Sequence, residues 1–116
     1  MKKKGIELIA EERQRQIDVE GYSEQHDSQH DFRELVQAAR TYIDAAILTT
    51  KSKEMGNSDE ASISWHKYNE PFEWKYLKLR WPWKEDSFKP TTPLRDIIKA
   101  GALIAAAIDR LESTGI

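Results

Sequence analysis

The first hydrophobic pattern along the chain has the period of an α-helix. Apolar residues recur at helical spacing near the start of the chain, which predicts a helix over residues 5–20 that ends at Gly21. The apolar positions of this stripe are Ile6, Ile9, Ala10 and Ile17. Arg13 falls between them on the same face, where a guanidinium group requires a partner. We therefore expect Arg13 to form a buried pair or to contact a ligand.

A second helix is predicted after a polar connector at residues 22–30. Asp31 and Glu34 have the spacing of a capping box, so we expect the helix to cover residues 31–50. Its broad apolar face consists of Phe32, Leu35, Val36, Ala39, Tyr42, Ile43, Ala46 and Ile47. Residues 51–64 contain glycine, asparagine, serine and charged residues without a sustained period. This stretch is predicted to be a loop or a frayed helix end.

Most of the aromatic residues lie in the segment 65–90. Pro71, Pro82 and Pro90 prevent one long helix through this segment, and a short helix or strand is predicted around residues 73–79. The rings belong to Trp65, Tyr68, Phe72, Trp74, Tyr76, Trp81, Trp83 and Phe88. Large rings bury much apolar surface, so we expect this segment to cover a helical bundle as a lid.

The last main helix is predicted over residues 92–113, because Thr92 is a good cap and Pro93 suits the first helical position. Between residues 97 and 108 its only polar side chain is that of Lys99, a pattern typical of a helix surrounded by others. Small residues on this helix are expected to pack closely against those of the second helix. They are Ala100, Gly101, Ala105 and Ala106 on the last helix, and Ala38, Ala39, Ala45 and Ala46 on the second.

Three main helices and an aromatic segment predict an all-α fold, a small helical bundle that forms one domain over residues 1–116. A chain of 116 residues has room for a single modest core. Because the last helix is apolar nearly all round, the elements of one chain do not fully cover it. We therefore expect a homo-oligomer.

The charge balance and the residue types exclude several classes of partner and site. With 18 Lys and Arg against 20 Asp and Glu, the net charge of −2 creates no positive field that would attract duplex nucleic acid or a membrane. The absence of cysteine excludes disulfides and thiolate metal sites, and it fits a reducing compartment. The lysines near the start are not followed by an apolar signal segment. We expect a cytoplasmic protein.

Phosphate recognition is the chemistry that the helix-borne cations favour, since arginine forks match phosphate oxygens. The candidate ligand-binding residues are Arg13, Arg15, Lys99 and Arg110, together with Trp81 and Trp83 for stacking on a base. Asp96, Lys99 and Arg110 project into one narrow sector of the last helix. This polar sector has two interpretations. It lines a cleft, or Asp96 and Lys99 form a surface ion pair and Arg110 interacts with the negative C-terminal end of the helix.

Carboxylates on rigid helices are the second candidate chemistry, because magnesium that acts on phosphates needs one or two of them. Glu34, Asp44 and Asp109 are the candidates, although capping already explains Glu34. His26 and His30 lie in the predicted connector and offer no third anchored ligand, so we expect no zinc or iron site.

Several short strings resemble a group of small uncharacterised phage and prophage proteins. They are ERQRQI at 12–17, EGY at 20–22, WPW at 81–83, KP at 89–90, RD at 95–96, KAGALI at 99–104 and IDR at 108–110. The opening string also resembles the start of phage MazG-like dATP/dGTP pyrophosphohydrolases, all-helical enzymes that use magnesium held by helix carboxylates. The resemblance implies a phage-encoded protein that acts in the cytoplasm of the host cell.

The carboxylate pattern of those enzymes is incomplete in this chain. Their Glu-Glu-x-x-Glu pattern falls on Arg33, Glu34 and Gln37, and their Glu-x-x-Asp pattern falls on Ala106 and Asp109. The two remaining carboxylates carry too little negative charge to hold magnesium against phosphate. The resemblance therefore implies a nucleotide-shaped cleft without the usual catalytic centre.

Together these patterns predict a small helical protein that binds a nucleotide-like phosphate ligand without turnover and without a cofactor. Capture of a host nucleotide signal, an anti-defence role, is one example. One alternative is a magnesium-dependent nucleoside triphosphate pyrophosphohydrolase that uses Glu34, Asp44 and Asp109. The other is a structural or protein-interaction accessory protein.

Overall fold

Four α-helices and one turn of 3-10 helix make up the part of the chain that the computed structural model describes, residues 2–20, 31–54 and 72–114. In chain order they are α1 (Gly5–Glu20), α2 (Phe32–Glu54), α3 (Phe72–Arg80), the 3-10 turn (Glu85–Ser87) and α4 (Pro93–Thr114). These three ranges contain no strand. The predicted all-α bundle is confirmed.

Side-chain caps set the starts of the two longest helices. Asp31 Oδ1 accepts hydrogen bonds from the backbone N–H groups of Arg33 at 2.6 Å and Glu34 at 3.2 Å. Thr92 Oγ1 accepts one from the backbone N–H of Arg95 at 3.2 Å. Each cap satisfies amides that the first helical turn leaves without a partner. Both starts therefore lie within one residue of the positions expected from the sequence.

The pairing of α2 with α4 is the most extensive helix contact in the fold. Ala38, Ala45, Ala100 and Ala106 are all at most 1% exposed and belong to one buried cluster. Small side chains allow two helix backbones to approach closely, so that many atoms reach van der Waals contact. The remaining members of the cluster are Leu35, Ala39, Tyr42, Leu77, Trp81, Phe88, Leu103 and Ala107.

Gly101 lies where α1 crosses α4. A Cβ atom at this position would be 2.6 Å from Ile9 Cδ1 and 2.8 Å from Ile9 Cγ1, closer than side chains normally pack. The glycine therefore allows α1 to lie against α4. The expectation that Gly101 faces the small residues of the second helix was wrong, since its close neighbour is Ile9 of α1.

The buried face of α1 differs from the predicted apolar stripe. Ile6 is 72% exposed, whereas Glu12 and Gln16 are only 2% and 4% exposed. Arg13 is half-buried beside this face instead of lying at its centre. The predicted stripe was wrong here because hydrophobicity along one helix does not reveal that a distant cation neutralises Glu12.

Some predicted features lie outside the described residues. They are the connector at 22–30 with His26 and His30, residues 55–64 of the predicted loop, and the aromatic residues Trp65 and Tyr68. Helix α2 continues to Glu54, four residues into the stretch predicted to be a loop or a frayed helix end. No helix within the described ranges has the length and apolar character needed to cross a membrane.

Candidate functional site

A cavity of about 230 Å³ lies between α1, α2, α4 and the segment of residues 81–92 that connects α3 to α4. The lining residues are Glu12, Arg15 and Gln16 from α1, Tyr42 from α2, Trp81, Trp83, Ser87 and Lys89 from the segment, and Lys99 and Leu103 from α4. Four parts of the chain therefore contribute to one concave surface, the usual setting of a small-molecule site.

Trp81 forms the aromatic wall of the cavity. Its ring lies edge-on to Tyr42 at 5.4 Å and to Trp83 at 5.3 Å between ring centroids, and 5.0 Å from Phe88. The indole Nε1–H donates to the backbone oxygen of Lys84 at 3.1 Å and to the hydroxyl of Ser87 at 3.0 Å. These contacts hold the ring in one orientation. Trp81 thus belongs to the core and lines the cavity at the same time.

The backbone of Lys89 connects the segment to both neighbouring helices. Its N–H donates to the Tyr42 hydroxyl at 3.1 Å, and its carbonyl oxygen accepts a hydrogen bond from Lys99 Nζ at 2.8 Å. The Lys99 ammonium also lies 5.4 Å from the centre of the Tyr42 ring, within cation–π distance. Lys99 is therefore held at the cavity wall by the segment and by α2.

The carboxylate of Glu12 is the negative centre of the site. Arg15 donates to it from Nε at 2.9 Å and from Nη2 at 2.7 Å, and Arg95 of α4 donates from Nη2 at 2.6 Å. Burial by itself would raise the pKa of Glu12, but the hydrogen bonds and charges of the two arginines outweigh it and lower the pKa to about 2. Glu12 is therefore ionised at neutral pH and orients both guanidinium groups.

Asp96 and Lys99, one turn apart on α4, each lie in a poorly solvated environment. Asp96 is fully buried, and its Oδ1 accepts the backbone N–H of Thr91 at 2.8 Å. Burial raises the pKa of Asp96, although Thr91 and Lys99 counteract part of this effect. Burial lowers the pKa of Lys99, and the negative charge of Asp96 opposes that shift. The ammonium therefore gains from any further anion nearby.

The cavity has an excess of positive charge. Arg15, Lys89 and Lys99 are among its lining residues, and Glu12 contributes the one carboxylate among the described lining residues. Because Arg95 as well as Arg15 balances that carboxylate, the charge that remains for a ligand is positive. A cationic wall beside fixed aromatic rings suits a small anion that carries a flat ring.

The structure brings together four of the predicted ligand-binding residues and separates the other two. Arg15, Lys99, Trp81 and Trp83 line the cavity, whereas Arg13 and Arg110 do not and have contacts elsewhere. Lys99 and Arg110 share a direction from α4 but stand roughly 16 Å apart along its axis, since each residue adds about 1.5 Å. The polar sector of the last helix therefore does not line one cleft.

Some residues of the site were not among the predicted candidates. They include Glu12, Gln16, Lys89 and Arg95. The available signal was the spacing of Glu12, Arg15 and Gln16, which places three polar side chains on one face of a helix. Such a face is normally solvated, and only the approach of Arg95 from α4 shows that it is buried.

The carboxylates considered for magnesium do not form a cluster. Glu34 lies in the first turn of α2, Asp109 is exposed on α4, and Asp44 Oδ2 forms an ion pair with Arg80 Nη2 at 3.3 Å. Within residues 2–20, 31–54 and 72–114, no group of three or more histidine, aspartate or glutamate side chains is placed to hold a metal ion.

The fold and the cavity define a small all-α protein with a cationic, aromatic-lined site. No model of a known protein family matches the chain, and no curated protein or solved structure matches it either. The resemblance to small phage proteins and to MazG-like enzymes stays a prediction. The function is therefore inferred from the chain's own side chains.

Proposed function

We propose that the protein binds a small, nucleotide-like phosphate ligand in this cavity without turning it over. The observation that carries the proposal is the placement of Arg15, Lys89 and Lys99 around the same cavity as Trp81 and Trp83. Guanidinium and ammonium groups bind phosphate oxygens, and indole faces stack on bases. The two kinds of recognition that a nucleotide requires are thus adjacent.

Lys99 is the side chain best placed to contact phosphate. An ammonium group has three N–H donors, and Lys99 directs one of them to the carbonyl oxygen of Lys89. Burial disfavours its charged form, so an anionic ligand would restore a favourable environment. Arg15 adds a second cation whose position is fixed by Glu12. Little ordering of these side chains is then needed on binding.

The size of the cavity favours a mononucleotide. Clefts for drug-sized ligands have volumes of roughly 300–1,000 Å³. At about 230 Å³ the cavity is smaller than this, so part of a mononucleotide would lie outside it and a dinucleotide would not fit. This size supports a free small molecule as the ligand rather than a nucleic-acid strand.

The state of Glu12 supports binding without turnover. A general base works best when its pKa is near the operating pH, and Glu12 has a pKa of about 2. The hydrogen bonds from Arg15 and Arg95 are the cause of this low pKa, and Gln16 donates to the same carboxylate. Capture of a host nucleotide signal by a phage protein is one biological form of this proposal.

Binding is tested by titrating the protein with a set of nucleoside monophosphates and following tryptophan fluorescence and calorimetry. We expect at least one nucleotide to bind, and the matching nucleoside without phosphate to bind at least about tenfold more weakly. Lys99→Met should reduce nucleotide affinity by a similar factor, whereas Lys75→Met, at an exposed position on α3, should leave it unchanged. Absence of binding by every nucleotide contradicts the proposal.

The enzyme alternative is separated by a turnover assay with nucleoside triphosphates. We expect no release of pyrophosphate, with or without magnesium. Magnesium-dependent release that is abolished by Glu34→Gln would instead support a pyrophosphohydrolase with Glu34, Asp44 and Asp109 as its carboxylates. In the structure these side chains are not grouped, which is why we favour binding.

An exposed apolar stripe on α4 supports the further proposal of a homo-oligomer. Ile97, Ile104 and Ile108 are 46%, 40% and 54% exposed. They project to the same side of α4, where Gly101 between them is covered by Ile9 of α1. A second copy of the chain that presents the same stripe would cover these side chains.

A further inference from the structure

The side-chain amide of Gln16 has a fixed orientation in the wall of the cavity. Its Nε2 donates to Glu12 Oε2 at 3.3 Å, and the residue is only 4% exposed. An ionised carboxylate accepts hydrogen bonds and donates none. The amide must therefore direct its NH₂ group towards Glu12, and its oxygen points away from that carboxylate.

The amide oxygen of Gln16 is buried without a hydrogen-bond partner in the described structure. Buried acceptors are almost always satisfied by protein, water or a ligand, and an orphaned one destabilises the protein. Rotating the amide would satisfy nothing, because its oxygen would then face the Glu12 carboxylate. The site thus contains a hydrogen-bond acceptor of fixed position that no donor of the described residues satisfies.

We propose that Gln16 selects the ligand by accepting a hydrogen bond, at its Oε1, from an N–H or O–H group of the bound nucleotide. This inference rests on the proposed function and adds to it that the ligand must offer a donor as well as a phosphate. Gln16 lines the same cavity as Lys99 and Trp81, so a ligand bound there lies beside all three side chains.

The anchoring of Gln16 gives the selection its strength. Glu12 is held by Arg15 and Arg95 from two different helices, and it holds the amide in turn. A ligand without the donor leaves the amide oxygen buried and unsatisfied, whereas a ligand with the donor removes that penalty. Sites that hydrogen-bond a substrate N–H or O–H discriminate strongly against analogues that lack it.

Three groups of a nucleotide can supply the donor: an amino group of the base, a ring N–H of the base and a hydroxyl of the sugar. Matched ligands distinguish them. Adenosine monophosphate and purine riboside monophosphate differ only in the 6-amino group, and guanosine and inosine monophosphates differ only in the 2-amino group. Inosine monophosphate has a ring N1–H that purine riboside monophosphate lacks. The 2′-deoxy and 3′-deoxy forms of adenosine and guanosine monophosphate each lack one sugar hydroxyl. We expect at least one of these changes to reduce wild-type affinity by about tenfold.

The variant Gln16→Met assigns the effect to this side chain, because methionine has a similar shape and no acceptor of comparable strength. In this variant the matched ligands should bind with equal affinity. The variant also loses the hydrogen bond from Nε2 to Glu12, so the ligand-free protein should melt at a lower temperature than wild type. A merely structural role would reduce all affinities by the same factor and leave the preference between matched ligands unchanged.

The outcomes separate the two proposals. Equal binding of all matched ligands by the wild-type protein overturns the role of Gln16 and leaves the proposed function in place. A preference that persists in Gln16→Met also overturns it, since another group then accepts the donor. If no nucleoside monophosphate binds the wild-type protein, the proposed function fails, and the selection by Gln16 fails with it.

Discussion

Glu12 Oε1 and Arg95 Nη2 lie 2.6 Å apart, although 83 residues separate these two side chains along the chain. The ion pair connects the middle of α1 to the first turn of α4. Arg15, which is also on α1, donates one hydrogen bond to each oxygen of the Glu12 carboxylate. This contact explains how a helix with few buried apolar residues is held in the bundle, and how one wall of the cavity is built.

We expect Glu12→Gln to destabilise the protein by roughly 2–3 kcal/mol, because Arg15 and Arg95 lose the charge that compensates them. The loss is smaller than for a fully buried pair, since the side chains of Arg15 and Arg95 are 37% and 42% exposed. Urea denaturation measures the change. Glu11→Gln is the control, because the exposed pair of Glu11 with Lys3 should contribute less than about 1 kcal/mol. Equal effects of the two substitutions would contradict this prediction.

The same carboxylate should make stability depend on pH in the acid range. The pKa of Glu12 is lowered from 4.5 to about 2 on folding, so its contribution is complete above about pH 4.5. As the pH falls from 4.5 towards 2, the unfolded chain takes up the proton first and the contribution is lost. Denaturation of wild type and Glu12→Gln at pH 7 and pH 2.5 checks this. The difference between them should shrink at the lower pH, and a constant difference would exclude the mechanism.

Gly101→Ala should destabilise the protein, because the new methyl group would overlap Ile9. Overpacking costs about 1–3 kcal/mol, and the better helix propensity of alanine offsets up to about 1 kcal/mol of that. Adding Ile9→Ala should remove the overlap, so that the two substitutions are not additive. Thermal unfolding of the two single variants and the double variant measures the coupling. At Gly5 an added Cβ meets nothing within 4 Å, and Gly5→Ala is expected to be close to neutral.

The predicted homo-oligomer is tested by light scattering coupled to size-exclusion chromatography. We expect a mass greater than one chain, and Ile104→Glu should convert the protein to a monomer by placing a charge in the apolar stripe of α4. Leu79→Glu is the control, because Leu79 is 83% exposed on α3, away from that stripe. A wild-type protein that elutes as a monomer would remove the oligomer proposal without affecting the cavity.

The helices were predictable because the interactions that start them are local. Asp31 and Thr92 each bond to amides two or three residues ahead, so the signal lies within a single turn. The apolar periodicity of the second helix likewise reflects the face that it buries, since Leu35, Ala39 and Tyr42 are buried. Val36 and Ile47 of the predicted apolar face are exposed, so periodicity predicted this face only in part. Arg15, Lys99, Trp81 and Trp83 were identified by residue type, since guanidinium, ammonium and indole groups have known affinities wherever they occur.

The rotation of α1 and the composition of the cavity depend on contacts between distant parts of the chain. Periodicity assigned Arg13 to the buried face, whereas Glu12 and Gln16 occupy it because Arg95 approaches from α4. The energy of a buried carboxylate depends on the charges around it, and those charges are set by tertiary packing. Local sequence thus determines where the helices form in this protein. The packing of α1 on α4 determines which polar side chains face the cavity.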